Sequence, residues 1–281
     1  MSTIDLTPAS YRPAPSGDFD PSAPDHHPHG SPVRRVLGMA RANTVLLMRN
    51  RMTFAYAVFL PLVPLALLFA SERGAETAGI SALANVVMLS AIFPVYYNLL
   101  SLTVTRRDEL VLKRLRTGES TDREILASMA LPGVVVLLAI VLLSVPLAAA
   151  LGQPLPHNGV VLAVGALLVA AAFAGLAFWT AAWTKNAEAA QLTSMPVILV
   201  AIVGSLWAIL PERIQPFLEW TPGAALDALV RIGWFGQETD GAAVSFVDSF
   251  AAAGQPLVTL AVWAVVAASL AARSMRWEPR G

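Results

Sequence analysis

Five long stretches without a charged residue restrict this chain to a membrane-spanning fold. They cover residues 52–71, 77–105, 125–184, 189–211 and 249–272 and are 20, 29, 60, 23 and 24 residues long. A helix needs about 20 predominantly apolar residues to cross a bilayer, so four stretches hold one span each and the longest holds two. The turn-forming residues 151–159 divide the longest stretch. The sequence therefore predicts six spans.

The predicted fold class is an all-α integral membrane protein. Apolar residues run continuously through the stretches, without the alternation that a strand of a membrane β-barrel requires. Only 14% of the residues are charged, against roughly 25% in soluble domains. We place the spans at residues 53–70, 79–102, 125–150, 160–183, 192–210 and 250–272.

The basic residues predict that both termini lie in the cytoplasm. In that orientation the inner segments hold 16 Lys and Arg and the outer loops hold 3, and basic residues near a span are retained inside. The formal net charge of zero therefore hides opposite charges on the two sides, and it gives no reason to expect nucleic-acid binding. The absence of cysteine agrees with a bacterial inner-membrane protein.

The N-terminal region divides into a tail and a helix. Residues 1–32 are rich in Ser, Pro, Asp and His, cannot bury a core, and are predicted to be a disordered cytoplasmic tail without a metal site. Residues 33–50 predict an amphipathic helix in the cytoplasmic interface, or equally a plain orientation anchor. Its basic face carries Arg34, Arg35, Arg41 and Arg49.

A second amphipathic pattern follows the second predicted span, at residues 105–118. Val111, Leu112 and Leu115 form a narrow apolar ridge, and basic residues cover most of the remaining surface. Such a helix can dock in the groove of a partner, with its charges setting the register. The alternative is a solvated run of charges that only fixes the orientation of the chain.

The order of these features resembles the type-2 permease subunits of ATP-binding-cassette (ABC) exporters. More narrowly, it is similar to the daunorubicin/doxorubicin-type drug-resistance permeases of actinobacteria. The resemblance rests on the amphipathic helix ending at residues 47–50, the proline-containing first span, the basic segment 107–116 and the C-terminal residues 276–280. It covers residues 33–281, which we predict to form one transmembrane domain.

This resemblance implies a permease that forms a homo- or heterodimer with a second permease subunit and works with two copies of a separate ABC ATPase. It implies export of a drug-, antibiotic- or lipid-like substrate. Residues 33–50 become the interfacial elbow helix, and short outer helices are expected between spans five and six. The implied ATPase-coupling helix comprises Arg107, Asp108, Glu109, Leu110, Val111, Leu112, Lys113, Arg114, Leu115 and Arg116. Leu110 stands where the family usually has glycine.

The chain lacks the residues for ATP hydrolysis by a phosphate-binding loop. Such a loop needs a Gly-Lys pair, and the only lysines, Lys113 and Lys185, follow Leu112 and Thr184. We therefore predict no enzyme activity and no cofactor in this chain, with ATP and Mg²⁺ held by the partner ATPase.

Other energy sources are less favoured by the spans. The predicted spans contain no Asp, Glu, His, Lys or Arg, which argues against ion coupling through side chains. A channel or secondary carrier that needs no ATPase remains the alternative, because backbone and hydroxyl oxygens also bind ions. Candidate substrate-path residues, or simply interhelical hydrogen-bonding groups, are Tyr56, Tyr96, Tyr97 and Asn98.

Overall fold

The computed structural model describes residues 31–118, 120–209 and 212–277. The predicted tail therefore lies almost wholly outside the described residues, as does the end of the C-terminal segment 276–280. In the described part, six helices are long and apolar enough to cross a membrane and no strand is formed. We number them spans 1 to 6: Arg51–Ala70, Glu76–Asp108, Asp122–Ala150, Gly159–Trp183, Ala189–Leu206 and Gly254–Ser274. The all-α, six-span prediction is confirmed.

Local sequence signals explain where the helices begin. The N-terminal helix, Pro32–Arg49, starts with proline behind the cap residue Ser31, and Asn50 then caps span 1 by accepting a hydrogen bond from the Thr53 amide. Span 4 begins in the same way after Asn158. The N-terminal helix that the amphipathic pattern predicts is therefore present.

Prolines change the helix type inside spans 1 and 2. Span 1 passes from α-helix, Arg51–Leu62, through a 3₁₀ turn, Val63–Ala66, to Leu67–Ala70. Span 2 consists of Glu76–Ser90, a π-helical segment at Ala91–Tyr97 that contains Pro94, and Asn98–Asp108. A proline removes one backbone hydrogen bond, and π segments are a recognised way to accommodate such an interruption.

Glycines allow two pairs of spans to approach closely. At Gly133 in span 3, a Cβ atom would collide with the backbone carbonyl of Pro94 in span 2, and at Gly175 in span 4 it would lie 2.8 Å from the Cβ atom of Ala267 in span 6. Small residues are the usual contact points between membrane helices, because packing rather than water exclusion holds such helices together. Spans 2 and 4 are the most buried of the six.

Short helices connect spans 5 and 6, as predicted. Span 5 is α-helical over Ala189–Val203 and ends in a 3₁₀ segment, Gly204–Ile209. The connection then contains a 3₁₀ turn, three short α-helices and a π-helical segment, with bounds Glu212–Ile214, Gln215–Leu218, Pro222–Val230, Arg231–Phe235 and Asp248–Ala252. Buried Leu226 and Leu229 join the main core, and Trp234 donates a hydrogen bond to the Pro154 carbonyl. The connection is thus packed into the bundle.

The orientation of the bundle in the membrane stays a prediction, and the absence of native cysteine makes it easy to test. His157 and Asp240 are exposed at one end and Lys113 is exposed at the other. We expect a membrane-impermeant maleimide to label the His157→Cys and Asp240→Cys variants in intact cells, because their loops carry few basic residues. The Lys113→Cys variant should react only after permeabilisation. Labelling of Lys113→Cys in sealed cells would contradict the orientation.

Candidate functional site: the loop helix and its anchors

The segment between spans 2 and 3 forms two helices rather than one. Span 2 continues to Asp108, beyond its predicted end at residue 102, and a separate helix, Val111–Arg116, follows a two-residue turn. We call Val111–Arg116 the loop helix. Leu110 produces the break because its φ of 60° and ψ of 12° are left-handed, which ends a helix. Arg107 and Asp108, predicted to lie in the coupling helix, therefore belong to span 2.

Leu110 occupies a backbone conformation that favours glycine. It has the only positive φ among the non-glycine residues of the described part, and such a conformation costs an ordinary residue about 1–2 kcal/mol. Its side chain is nevertheless 41% exposed. Residues held in sparsely populated backbone conformations cluster at functional sites, so Leu110 is a candidate contact residue.

The apolar ridge of the loop helix faces the chain itself. Leu112 is fully buried, and Leu115 packs against the main core. The predicted ridge is therefore not the surface that this helix offers to a partner. Within residues 107–116, the exposed side chains are Asp108, Glu109, Leu110, Lys113, Arg114 and Arg116.

Arg107 ties the end of span 2 to the end of span 4. Its Nη1 atom donates to the Ala181 carbonyl at 2.8 Å, and its Nη2 atom donates to the Thr184 and Lys185 carbonyls at 2.7 and 3.1 Å. The side chain is 1% exposed, with the carboxylate of Asp108 3.6 Å away. The last carbonyls of a helix have no partner within it and carry partial negative charge. Arg107 therefore supplies hydrogen-bond donors to the carbonyl groups at the end of span 4.

The far end of the loop helix is held by two contacts of Arg116. Its Nε atom lies 3.2 Å from a carboxylate oxygen of Asp122, at the start of span 3. Its guanidinium carbon lies 5.2 Å from the ring centre of Trp277, after span 6, in a cation–π arrangement. The loop helix is thus connected to span 2 through the turn, to span 3 and to the C-terminal segment.

The N-terminal helix is bound to the start of span 3. Arg35 donates to Glu124 at 2.7 Å, while the other carboxylate oxygen of Glu124 accepts from the Thr121 amide at 2.8 Å and completes a capping box. Asn43 donates to the Ser128 carbonyl at 2.8 Å. Arg35 is therefore turned toward the protein, whereas Arg34, Arg41 and Arg49 are exposed. The T-x-x-E spacing of Thr121 and Glu124 is a sequence signal for the start of span 3, but it does not indicate the contact with Arg35.

The four predicted substrate-path residues are not brought together. Tyr96 is buried, its hydroxyl 3.2 Å from that of Thr180 and its ring edge-on to Phe173. Tyr56 is 55% exposed on span 1. Tyr97 and Asn98 are half-buried on span 2. Tyr96 thus fits the simpler alternative, an interhelical hydrogen-bonding group, because its contacts are with span 4.

Comparison with known families decides the class of the chain. The ABC-2 type transporter family matches residues 33–223, which is more than half of the sequence. The chain belongs to this family. The match contains the N-terminal helix, spans 1 to 5 and the loop helix. No curated protein matches the chain.

Membership in the ABC-2 family identifies the chain as the membrane permease subunit of an ABC transporter. This is a transport component and not an ATPase domain. The family also implies an ABC ATPase as a partner and a dimeric arrangement of permeases. The six apolar helices agree with a multi-pass membrane protein.

Replacing Leu110 should reveal the strain in the turn before the loop helix. We expect Leu110→Gly to stabilise the detergent-solubilised permease by about 1 kcal/mol, because glycine adopts a positive φ without steric cost. Thermal unfolding measures the change. The matched control is Leu110→Ala, which also removes the side chain but keeps Cβ, and it should not be stabilised. Equal midpoints for the two variants would contradict the strain.

Proposed function

We propose that this ABC-2 permease exports a drug-, antibiotic- or lipid-like amphiphile from a bacterial cell. It would lie in the inner membrane with both termini in the cytoplasm, as a homo- or heterodimer with a second permease subunit. Two copies of a separate ABC ATPase would bind ATP and Mg²⁺. The resemblance to daunorubicin/doxorubicin-type permeases supports this finer assignment, and family membership argues against a channel or carrier that needs no ATPase.

The loop helix is the proposed docking site for the ATPase. The observation that carries this proposal is an exposed basic surface next to a strained, exposed leucine: Lys113, Arg114 and Arg116 lie beyond Leu110. An acidic groove on the ATPase would pair with Arg114 and cover Leu110. Leu112 and Leu115, which face inward, would instead hold the helix to the permease.

Arg107 is the proposed positioning residue that carries movement from the loop helix into the membrane. It lies three residues before the left-handed turn, and its hydrogen bonds lead to the end of span 4. Span 4 in turn packs along span 6, and Gly175 lies close to Ala267 of span 6. A displaced loop helix would therefore move the ends of spans 2, 4 and 6 together. Coupling requires that the ATP-bound partner bind one permease conformation better than the other.

The docking surface can be tested by reversing one charge. We expect Arg114→Glu to weaken co-purification of the ABC ATPase about tenfold, a free-energy loss of about 1.4 kcal/mol, because the substituted carboxylate would face an acidic partner surface. Quantitative mass spectrometry of the complex purified from native membranes gives the ratio of subunits. The matched control is Arg41→Glu, an exposed arginine on the N-terminal helix. Equal ATPase recovery from both variants would argue against this surface.

The role of Arg107 can be separated from folding by measuring transport per ATP hydrolysed. Lysine keeps the charge but lacks the planar guanidinium, which lets arginine donate to several carbonyls at once. We therefore expect Arg107→Lys to retain the ATPase partner yet lower transport per ATP about tenfold, as loss of about 1.4 kcal/mol of coupling would do. Reconstituted proteoliposomes give both rates. An unchanged ratio, with the complex intact, would contradict the positioning role.

A further inference from the structure

A polar cleft of about 180 Å³ opens beside the N-terminal helix. Its walls come from that helix, the start of span 1, the last turns of span 2 and span 3. Neutral amides and hydroxyls supply its polar groups: Asn43, Asn50, Thr53, Asn98, Ser101 and Thr105. The remaining lining residues are apolar, and none of them carries a charge.

Three polar side chains on span 2 face this cleft without a protein partner in the part of the chain that the structure describes. Asn98, Ser101 and Thr105 lie three and four residues apart and so share one face of the helix. None of their side chains makes a hydrogen bond within the described ranges, although all three line the cleft. Buried hydroxyls elsewhere in the spans bond back to their own helix, as Ser90, Ser128 and Thr180 do.

Asn43 adds a buried acceptor to the floor of the cleft. Asn43 is 3% exposed, and its side-chain nitrogen donates a hydrogen bond to the Ser128 carbonyl. Its Oδ1 atom has no hydrogen-bond partner among the described residues. A buried acceptor without a partner is destabilising, so a hydrogen-bond donor that reached this oxygen would be favoured.

The shape and chemistry of the cleft select an uncharged head group. Its volume is below the roughly 300–1,000 Å³ of pockets that enclose a drug-sized molecule. An ionic group would lose its hydration without finding an opposite charge in the lining. Leu46 and Asn50 are exposed at the rim, so an attached apolar tail can stay in the surrounding bilayer.

We propose that this cleft binds the uncharged, hydroxyl- or amide-bearing head group of an amphiphile. This inference deepens the proposed function, because such an amphiphile would be the exported substrate or a lipid that accompanies transport. The ligand would contact the helical turn that leads to the loop helix, since the Thr105 carbonyl accepts from the Glu109 amide at 3.0 Å. The bound head group would thus lie against the turn of span 2 whose opposite face carries Arg107.

Protection of a single cysteine tests this site in the full chain without the ATPase. The Ser101→Cys variant is placed in lipid nanodiscs, and its rate of alkylation by N-ethylmaleimide is measured with submicellar dodecyl maltoside or with dodecyltrimethylammonium. We expect the neutral maltoside to slow alkylation about tenfold, the effect of about 1.4 kcal/mol of binding. Dodecyltrimethylammonium, which has the same tail but a cationic head group, should not slow alkylation. Ser274→Cys, half-buried at the end of span 6, is the control and should be unaffected by either probe.

Two variants make the test specific to the polar groups. Thr105→Val, which has the same shape, and Asn98→Leu should each remove most of the protection while leaving unfolding cooperative. A nanodisc arm containing diglucosyl diacylglycerol and no maltoside separates the sources: protection there assigns a bilayer lipid, and protection by maltoside alone assigns a smaller amphiphile. Equal protection by both head groups, protection of Ser274→Cys, or no protection by either neutral probe would overturn the proposal. These outcomes are independent of ATPase docking, which the subunit ratio measures.

Discussion

The structure depends on one buried guanidinium at the end of span 2. Arg107 holds the carbonyls of Ala181, Thr184 and Lys185, so a charge that would be costly in isolation is neutralised by the partial charges that end span 4. Removing it would leave three acceptors without this donor. The same side chain fixes the direction in which span 2 leaves the bundle, and therefore where the loop helix lies.

The bilayer made the spans predictable from sequence. Only closed hydrogen-bonded structures can cross it, so long apolar stretches had to be helices, and the six predicted spans agree with the six observed. Their ends were harder to predict. Span 2 runs on to Asp108 because Arg107 finds its partners on span 4, more than 70 residues away. A sequence shows the charge but not a partner so distant along the chain.

The candidate site was predictable in the same partial way. Helical periodicity groups Val111, Leu112 and Leu115 on one side of the loop helix, but it does not say what covers that side. Leu112 and Leu115 pack into the core of the permease itself. Asn43 and Ser101 carried no signal in the sequence. Their importance comes from hydrogen bonds that are not made, which only packing can reveal.

The contact between Gly133 and Pro94 has a consequence for how the permease changes shape. Here two backbones touch with no side chain between them, so there are no rotamers whose rearrangement could absorb a small sliding movement. Spans 2 and 3 must therefore travel as one piece at this level of the membrane, or else separate fully. Any movement between spans during transport would then take place elsewhere, along spans 1 and 5, which are less buried.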